Sequence, residues 1–257
     1  MKTDPAPASN NQIKEWKKLL RGKNRKIEGL FLAEGIRCVE QIIENNNVVV
    51  RELLVDNQAD LTSFHFTKEI PAYKLTSAQF LNLSDTESPQ GVIAVCEIPE
   101  EGKIDKFAKS SGVIVAIDAI QDPGNLGTII RTAAWFGVSG IIFGEGCVDP
   151  FHPKVVRSTA GATGSVPFLK GNLESIFRDL ESSGWHVYLL DGSASASEIR
   201  TVRPGHKSIL VAGNEGNGIR PDLFGAKRSP VRIDGNFDTV ESLNVAVALG
   251  IGLFTLT

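Results

Sequence analysis

At 257 residues the chain is long enough for two ordinary domains or one large one. Its 42% hydrophobic content is normal for a soluble globular protein, and its formal net charge is −3. That balance does not imply attraction of the whole molecule to a polyanion, so any nucleic-acid site must be a local patch.

The first ten residues, Met1–Asn10, are polar and lack the apolar core of a signal peptide, so they read as a short disordered start. In Asn11–Arg25, Ile13, Trp16, Leu19 and Leu20 recur at helical spacing and predict an amphipathic helix followed by a turn. The same stretch crowds Lys14, Lys17, Lys18, Arg21, Lys23, Arg25 and Lys26 together, with only Glu15 opposing them. Such a run suits phosphate contacts, and a solvated helix face is the competing reading. Strands are predicted at Leu30–Ala33, Arg51–Asp56, Ala72–Leu75 and Gly91–Glu97, and helices at Ile36–Glu44 and Ser77–Leu83. These make a small α/β domain over residues 11–98. The polar, charged stretch Ile98–Lys109 is the candidate linker, taken as residues 99–109, to a second domain over residues 110–257.

That second domain alternates strands and helices. Val113–Asp118, Gly140–Gly144, Val187–Leu190, Ile209–Gly213 and Val231–Ile233 read as strands. Several are nearly continuous apolar runs, as in a parallel sheet buried on both faces. Helices are expected over Leu126–Phe136, Lys154–Ala160, Leu173–Ser182 and Leu243–Phe254. The alternation argues for a doubly wound α/β fold. No apolar run is long enough to span a membrane. Cys38, Cys96 and Cys147 lie far apart and form neither a zinc-ligand pair nor a disulfide framework. They read as buried or free thiols, and the protein as cytoplasmic.

Ligands of open α/β sheets bind outside the carboxyl ends of strands. Three such ends here are polar and glycine-rich or helix-opening. They are Gln121–Arg131 after the first strand, Gly213–Ile219 after the fourth, and Glu241–Asn244 ahead of the last helix. Each residue also has a plainer reading. Gly124, Gly127, Gly213, Gly216 and Gly218 could serve tight turns, Asn125 a helix cap, and Arg131 a solvated helix face. The glycines of 213–218 resemble a dinucleotide fingerprint only weakly, because they follow no first βα turn.

Taken together, Asn125-Leu-Gly127 with Arg131-Thr-Ala133, then Gly213-Asn-Glu215-Gly-Asn-Gly218, then Ser242-Leu-Asn244-Val-Ala-Val247 resemble the SpoU branch of the SPOUT RNA methyltransferases. Lys154-Val-Val-Arg157-Ser158 matches a segment usual between the first two motifs. The first domain resembles the small RNA substrate-binding domain often joined to this branch. The resemblance implies a C-terminal α/β domain with a parallel sheet and a deep trefoil knot, S-adenosyl-L-methionine as cofactor, and a homodimer whose site draws on both subunits. It implies 2′-O-ribose methylation of structured RNA, with ribosomal RNA favoured over tRNA because of the extra domain.

Catalytic roles fall by this resemblance to Asn125, Arg131, Glu215, Ser242 and Asn244. Cofactor contacts fall to Leu190, Gly213, Asn214, Gly218, Ile233 and Leu243. RNA contacts fall to Lys14, Lys17, Lys18, Arg21, Lys23, Arg25, Lys154 and Arg157. The family is described as using the arginine to assist deprotonation. A guanidinium is a poor proton acceptor, with a pKa above ~12, so Arg131 is expected to hold RNA phosphate and stabilise the forming alkoxide. Asn125 is expected to orient Arg131 or the ribose, and Glu215 to fix its loop or Arg131. No metal is expected, since His65, His152, His186 and His206 are scattered, with His152 set apart only by preceding the Lys154 segment. One departure from the family stands out. Asp234 and Gly235 follow Ile233 where a proline and a bulky residue are usual, and the stretch to Ser242 is one residue longer. The adenine-side loop should therefore differ in shape. The alternatives are a tRNA 2′-O-methyltransferase, a non-catalytic RNA-binding protein that kept the fold, and a nicotinamide enzyme, which the absence of an early GxGxxG disfavours.

Overall fold

The computed structural model describes residues 5–60, 62, 64, 70–236, 238–240 and 242–257. Residues 1–4 of the polar start, His65, and Glu241 of the last motif segment lie outside the described residues. The chain divides into two units, one of residues 1–99 with 149–165, the other of residues 100–148 with 166–257.

Through residue 99 the elements are β1 (Ala6–Pro7), α1 (Asn10–Lys18), α2 (Gly22–Glu28), β2 (Leu30–Glu34), α3 (Ile36–Asn45), β3 (Val50–Asp56), β4 (Ala72–Leu75), α4 (Ser77–Leu81) and β5 (Val92–Glu97). Then come α5 (Ile104–Lys109), β6 (Gly112–Ile117), α6 (Pro123–Trp135), β7 (Gly140–Phe143) and α7 (Pro153–Ser158). The rest holds β8 (Phe168–Lys170), α8 (Leu173–Ser182), β9 (His186–Leu190), β10 (Ser197–Glu198), β11 (Lys207–Ala212), β12 (Ser229–Arg232) and α9 (Val245–Leu256).

In the first unit five strands run in the order β1-β4-β3-β5-β2, with β5 antiparallel to both its neighbours and the other pairs parallel. The predicted start is disordered only on paper from residue 6 onward. Ala6 and Pro7 pair with Tyr73 and Lys74, and the Ser9 hydroxyl accepts the Gln12 N–H while the Gln12 amide oxygen accepts the Ser9 N–H. The expected helix and turn are present as α1 and residues 19–21, and a second helix, α2, follows where none was expected. The apolar spacing holds: Trp16 and Leu19 are buried with Leu32, Leu54, Phe80 and Ile93, and Ile13 and Leu20 pack at the edge. Strand alternation sends Phe31 to the opposite face, where its ring lies 5.3 Å from that of Phe151. Phe151 belongs to the returning segment 149–165, whose α7 buries Val155 and Val156. Cys38 Sγ donates to the Val156 carbonyl oxygen at 3.7 Å.

The second unit is built on a seven-stranded sheet, β10-β12-β9-β11-β6-β7-β8, in which every pair is parallel. β6, β7 and β11 are the apolar runs read from the sequence, and both faces are covered as such strands require. The three-residue β8 and the two-residue β10 were too short to read from pattern. The expected linker is also structured. Its latter half is α5, and Phe107 is buried beside Ile114, Phe177 and Leu180. Gly140 makes room for that ring, since a Cβ there would fall 2.2 Å from Phe107 Cε1. Because all seven strands run the same way, their carboxyl ends share one edge, and the loops after β6, β9, β11 and β12 gather there.

Candidate functional site

The edge is ordered by three local devices. The Asp122 carboxylate accepts the Asn125 N–H at 2.7 Å and caps α6, with Pro123 in the first turn. Asp122, not Asn125, is therefore the cap, which frees the Asn125 side chain. Asn244 caps α9, its Oδ1 accepting the Ala246 and Val247 N–H groups at 3.0 and 3.4 Å. After β11 the chain doubles back, with the backbone groups of Asn214 and Gly218 bonded in both directions. Gly213 permits this: a Cβ there would lie 2.4 Å from backbone atoms of Gly218 and Ile219. The Asn214 oxygen accepts the Gly216 and Asn217 N–H groups at 3.0 and 3.1 Å.

These devices converge on one chain of hydrogen bonds. Asn125 Nδ2 donates to Glu215 Oε1 at 2.8 Å, and Asn244 Nδ2 donates to Asn125 Oδ1 at 2.9 Å. Residues 90 and 119 positions from Asn125 are thus joined through a single amide. Capping and the site contact coexist in Asn244, so the two readings of that residue do not compete. Arg131 stands apart. It is exposed on α6 and makes no hydrogen bond or ion pair among the described residues, so neither Asn125 nor Glu215 orients it within one chain. Ser242 is exposed and likewise unbonded among the described residues.

The predicted cofactor residues lie on the same edge. Leu190 ends β9 and pairs with Val231 of β12; Ile233 follows that strand directly. Both are partly exposed, and Leu243 is 49% exposed. Apolar side chains left open at adjacent strand ends, beside a glycine-built loop, suit the flat adenine base and the aliphatic carbons of S-adenosylmethionine. Asn214 shapes the loop with every atom of its amide, since Nδ2 also donates to the Ala119 carbonyl at 2.9 Å. The unusual Asp234 has a defined partner: it accepts Arg232 Nε at 2.6 Å, while Arg232 Nη1 donates to the carbonyls of Ala194 and Ala196. Asp234 thereby holds the guanidinium on the loop after β9.

The predicted RNA residues belong to the first unit. Lys14, Lys17, Lys18, Arg21, Lys23 and Lys154 are exposed, and Lys18 pairs with Glu15 at 2.7 Å. That hydrogen-bonded partner raises the Lys18 pKa. Arg25 is a correction. Its side chain is 2% exposed, with Nε and Nη2 on Asp149 Oδ2 at 2.9 and 2.6 Å and Nη1 on the Leu19 carbonyl. Falling on the inner face of α2, it is an internal ion pair. Arg157 is half-buried, donating to the buried Glu34 at 3.3 Å and to the Asp85 carbonyl. His152 caps α7, its Nδ1 accepting the Lys154 N–H at 3.2 Å. Among the described residues no group of three His, Cys, Asp or Glu is arranged to hold a metal, and no helix is long and apolar enough to cross a membrane.

Comparison with known proteins agrees with this layout. The MRM3-like substrate binding domain matches residues 10–94, and the SpoU rRNA Methylase family matches residues 112–254. A 23S rRNA guanosine 2′-O-methyltransferase of Bacillus subtilis is 36% identical, covering 97% of each chain. A 23S rRNA guanosine 2′-O-methyltransferase of Xanthomonas campestris is 29% identical over 86% of this chain and 93% of its own. The solved structure of an AdoMet-bound rRNA methyltransferase from Sinorhizobium meliloti superposes with a TM-score of 0.82 at 27% identity, covering 98% of this chain and 97% of that one. With more than half its length matched by the family and its three strand-end motifs hydrogen-bonded into one site, the chain belongs to the SpoU rRNA methylase family.

Proposed function

We propose that the protein transfers a methyl group from S-adenosyl-L-methionine to a ribose 2′-hydroxyl of ribosomal RNA. The observation that carries this reading is the Glu215–Asn125–Asn244 chain, which joins the three strand-end motifs into one site. When bound, the cofactor supplies a sulfonium methyl already activated for transfer. The residues of the chain must therefore align a weak nucleophile and accommodate its developing charge. Gly213, Gly218, Leu190, Ile233 and Leu243 hold the cofactor. Glu215 and Asn244 lock Asn125 at the start of α6. Arg131, exposed and unpaired among the described residues, takes the RNA phosphate and stabilises the forming alkoxide, as its always-charged fork suits.

A second copy of the chain completes the site in this reading. α9 is apolar on every side. One face is buried through Ala246, Leu249 and Leu253, while Val247, Ile251 and Phe254 remain exposed, Phe254 at 77%. On α6, Trp135 is 85% exposed one turn beyond Arg131. A soluble helix apolar all round needs cover on both faces, and a homodimer on α6 and α9 supplies it. The parallel order β12-β9-β11-β6, with α9 packed back against Leu210 of β11 at Gly252, is compatible with a knotted C-terminal half. The exposed lysines and Arg21 of the first unit bind RNA phosphates. Three unpaired cysteines accord with work in the cytoplasm.

The test is methylation of ribosomal RNA and tRNA with labelled cofactor, followed by mass spectrometry of the nucleosides. Label in a 2′-O-methylnucleoside from ribosomal RNA is expected. Label confined to tRNA, or to a base, would overturn the substrate or the reaction.

A further inference from the structure

The end of β6 carries three local penalties at one point. Asp118 is fully buried although its side chain is a carboxylate. Ala119, next along the chain, has a φ of +54°, a left-handed conformation that a Cβ disfavours. Arg220, which pairs with Asp118, leaves its Nη2 buried without a hydrogen-bond partner. Each is unfavourable by itself, and a buried ion pair is weak grounds for stability. An apolar residue at 118 would simply continue the run Val113–Ile117.

What the three serve together is the placement of one loop. Asp118 Oδ2 accepts the Arg220 backbone N–H at 2.8 Å and Oδ1 accepts Arg220 Nε at 2.9 Å. The Ala119 carbonyl accepts Asn214 Nδ2 at 2.9 Å. The Gly213–Ile219 loop is thus fastened to the end of β6 on both sides. Asn214 ties its entry and Arg220 its exit, and Glu215 stands between the two ties with its carboxylate on Asn125. We infer that Asp118, acting through Arg220, is a positioning residue for methyl transfer: it sets the loop so that Glu215 meets Asn125. This rests on the methyltransferase reading, although the fastening itself does not.

Asp118→Asn in the full chain tests it. The amide keeps an acceptor for the Arg220 N–H but loses the charge and sets an NH2 group toward Nε. Amide hydrogen exchange at Gly216–Gly218 should speed by about tenfold or more while β6 and β11 stay protected. Displacing a site by an ångström can cost about a hundredfold in rate, so single-turnover methyl transfer should fall by about ten- to a hundredfold. If Asp118 acts through Glu215, adding Asp118→Asn to Glu215→Gln should cost less than about twofold further. Unchanged loop exchange, a wild-type single-turnover rate, or the full loss repeated in the Glu215→Gln background would overturn the assignment. Should Asp118→Asn fail to fold, Arg220→Gln carries the same comparison from the more exposed partner. Wild-type protein that methylates no RNA, with the variant's loop still loosened, would sink the enzymatic reading and leave the fastening intact.

Discussion

Asn125 connects in both directions, so the smallest informative change there is Asn125→Asp. Volume and one acceptor survive. The donor to Glu215 is lost, and a second carboxylate takes its place at a 2.8 Å contact. A hydrogen bond to a charged group contributes about 1.5–3 kcal/mol, and the exposure of Glu215 argues for the low end. Like charges about 4 Å apart repel by about 1 kcal/mol in water and about 4 at an effective dielectric of 20; exposure again favours the smaller figure. Against this, position 125 is the third residue of α6, where negative charge gains about 0.3–1 kcal/mol from the helix dipole. The losses win by roughly 2 kcal/mol, about 30-fold in the population of the assembled site at 1.36 kcal/mol per decade. The loop can open without unfolding the sheet beneath it, so the melting temperature should barely move. Single-turnover methyl transfer at neutral pH should fall by about that factor. Two carboxylates in contact hold one proton more tightly, so part of the rate should return as the pH is lowered. A rate within twofold of wild type, with no pH-dependent recovery, would refute the coupling of these bonds to chemistry.

Three other perturbations separate the remaining roles. Arg25→Met should lower stability by roughly 2–3 kcal/mol in urea titrations, somewhat below the usual cost of breaking a buried pair because Asp149 is 24% exposed and can rehydrate; it should leave the salt slope of RNA binding unchanged. Lys17→Gln with Lys23→Gln should do the reverse, flattening the slope by about one unit per lost phosphate contact at constant stability. Ile251→Glu with Phe254→Glu should give a monomer in sedimentation, whereas a persistent dimer would place the contact elsewhere. Burial pushes the Cys38 thiol up to about 11, and Cys96 is raised for the same reason. Stability tied to Cys38 is thus present below its ordinary pKa and lost as the pH rises toward about 11, and alkylation at pH 8 should be slow until the chain unfolds. Rapid native-state labelling of either thiol would contradict that burial.

Much of the molecule is legible from local pattern. The strands of the second unit announce themselves as apolar runs because a parallel sheet covered on both faces leaves no alternation. Trp16 and Leu19 are read correctly as core from helical spacing, and the family from the order of its motifs along the chain. Pattern fails where one residue type serves opposite ends. Arg25 belongs to the same basic run as Lys23 and Lys26, and only the phase of α2 turns it inward onto Asp149, 124 residues away. The polar linker conceals α5 because only one of its residues, Phe107, is fully buried, and the space for that ring lies at Gly140 on a later strand. Asp118 passes as a strand terminus until the fold brings Arg220 to it. Sequence by itself determined the family motifs and which strands carry the core, since residue type and period are local properties. Tertiary structure alone decided which charges are spent inside the protein, that residues 149–165 pack with the first unit, and that Asn125 is the amide through which Glu215 and Asn244 meet. Those outcomes depend on which distant backbone ends share an edge, and no local spacing encodes that.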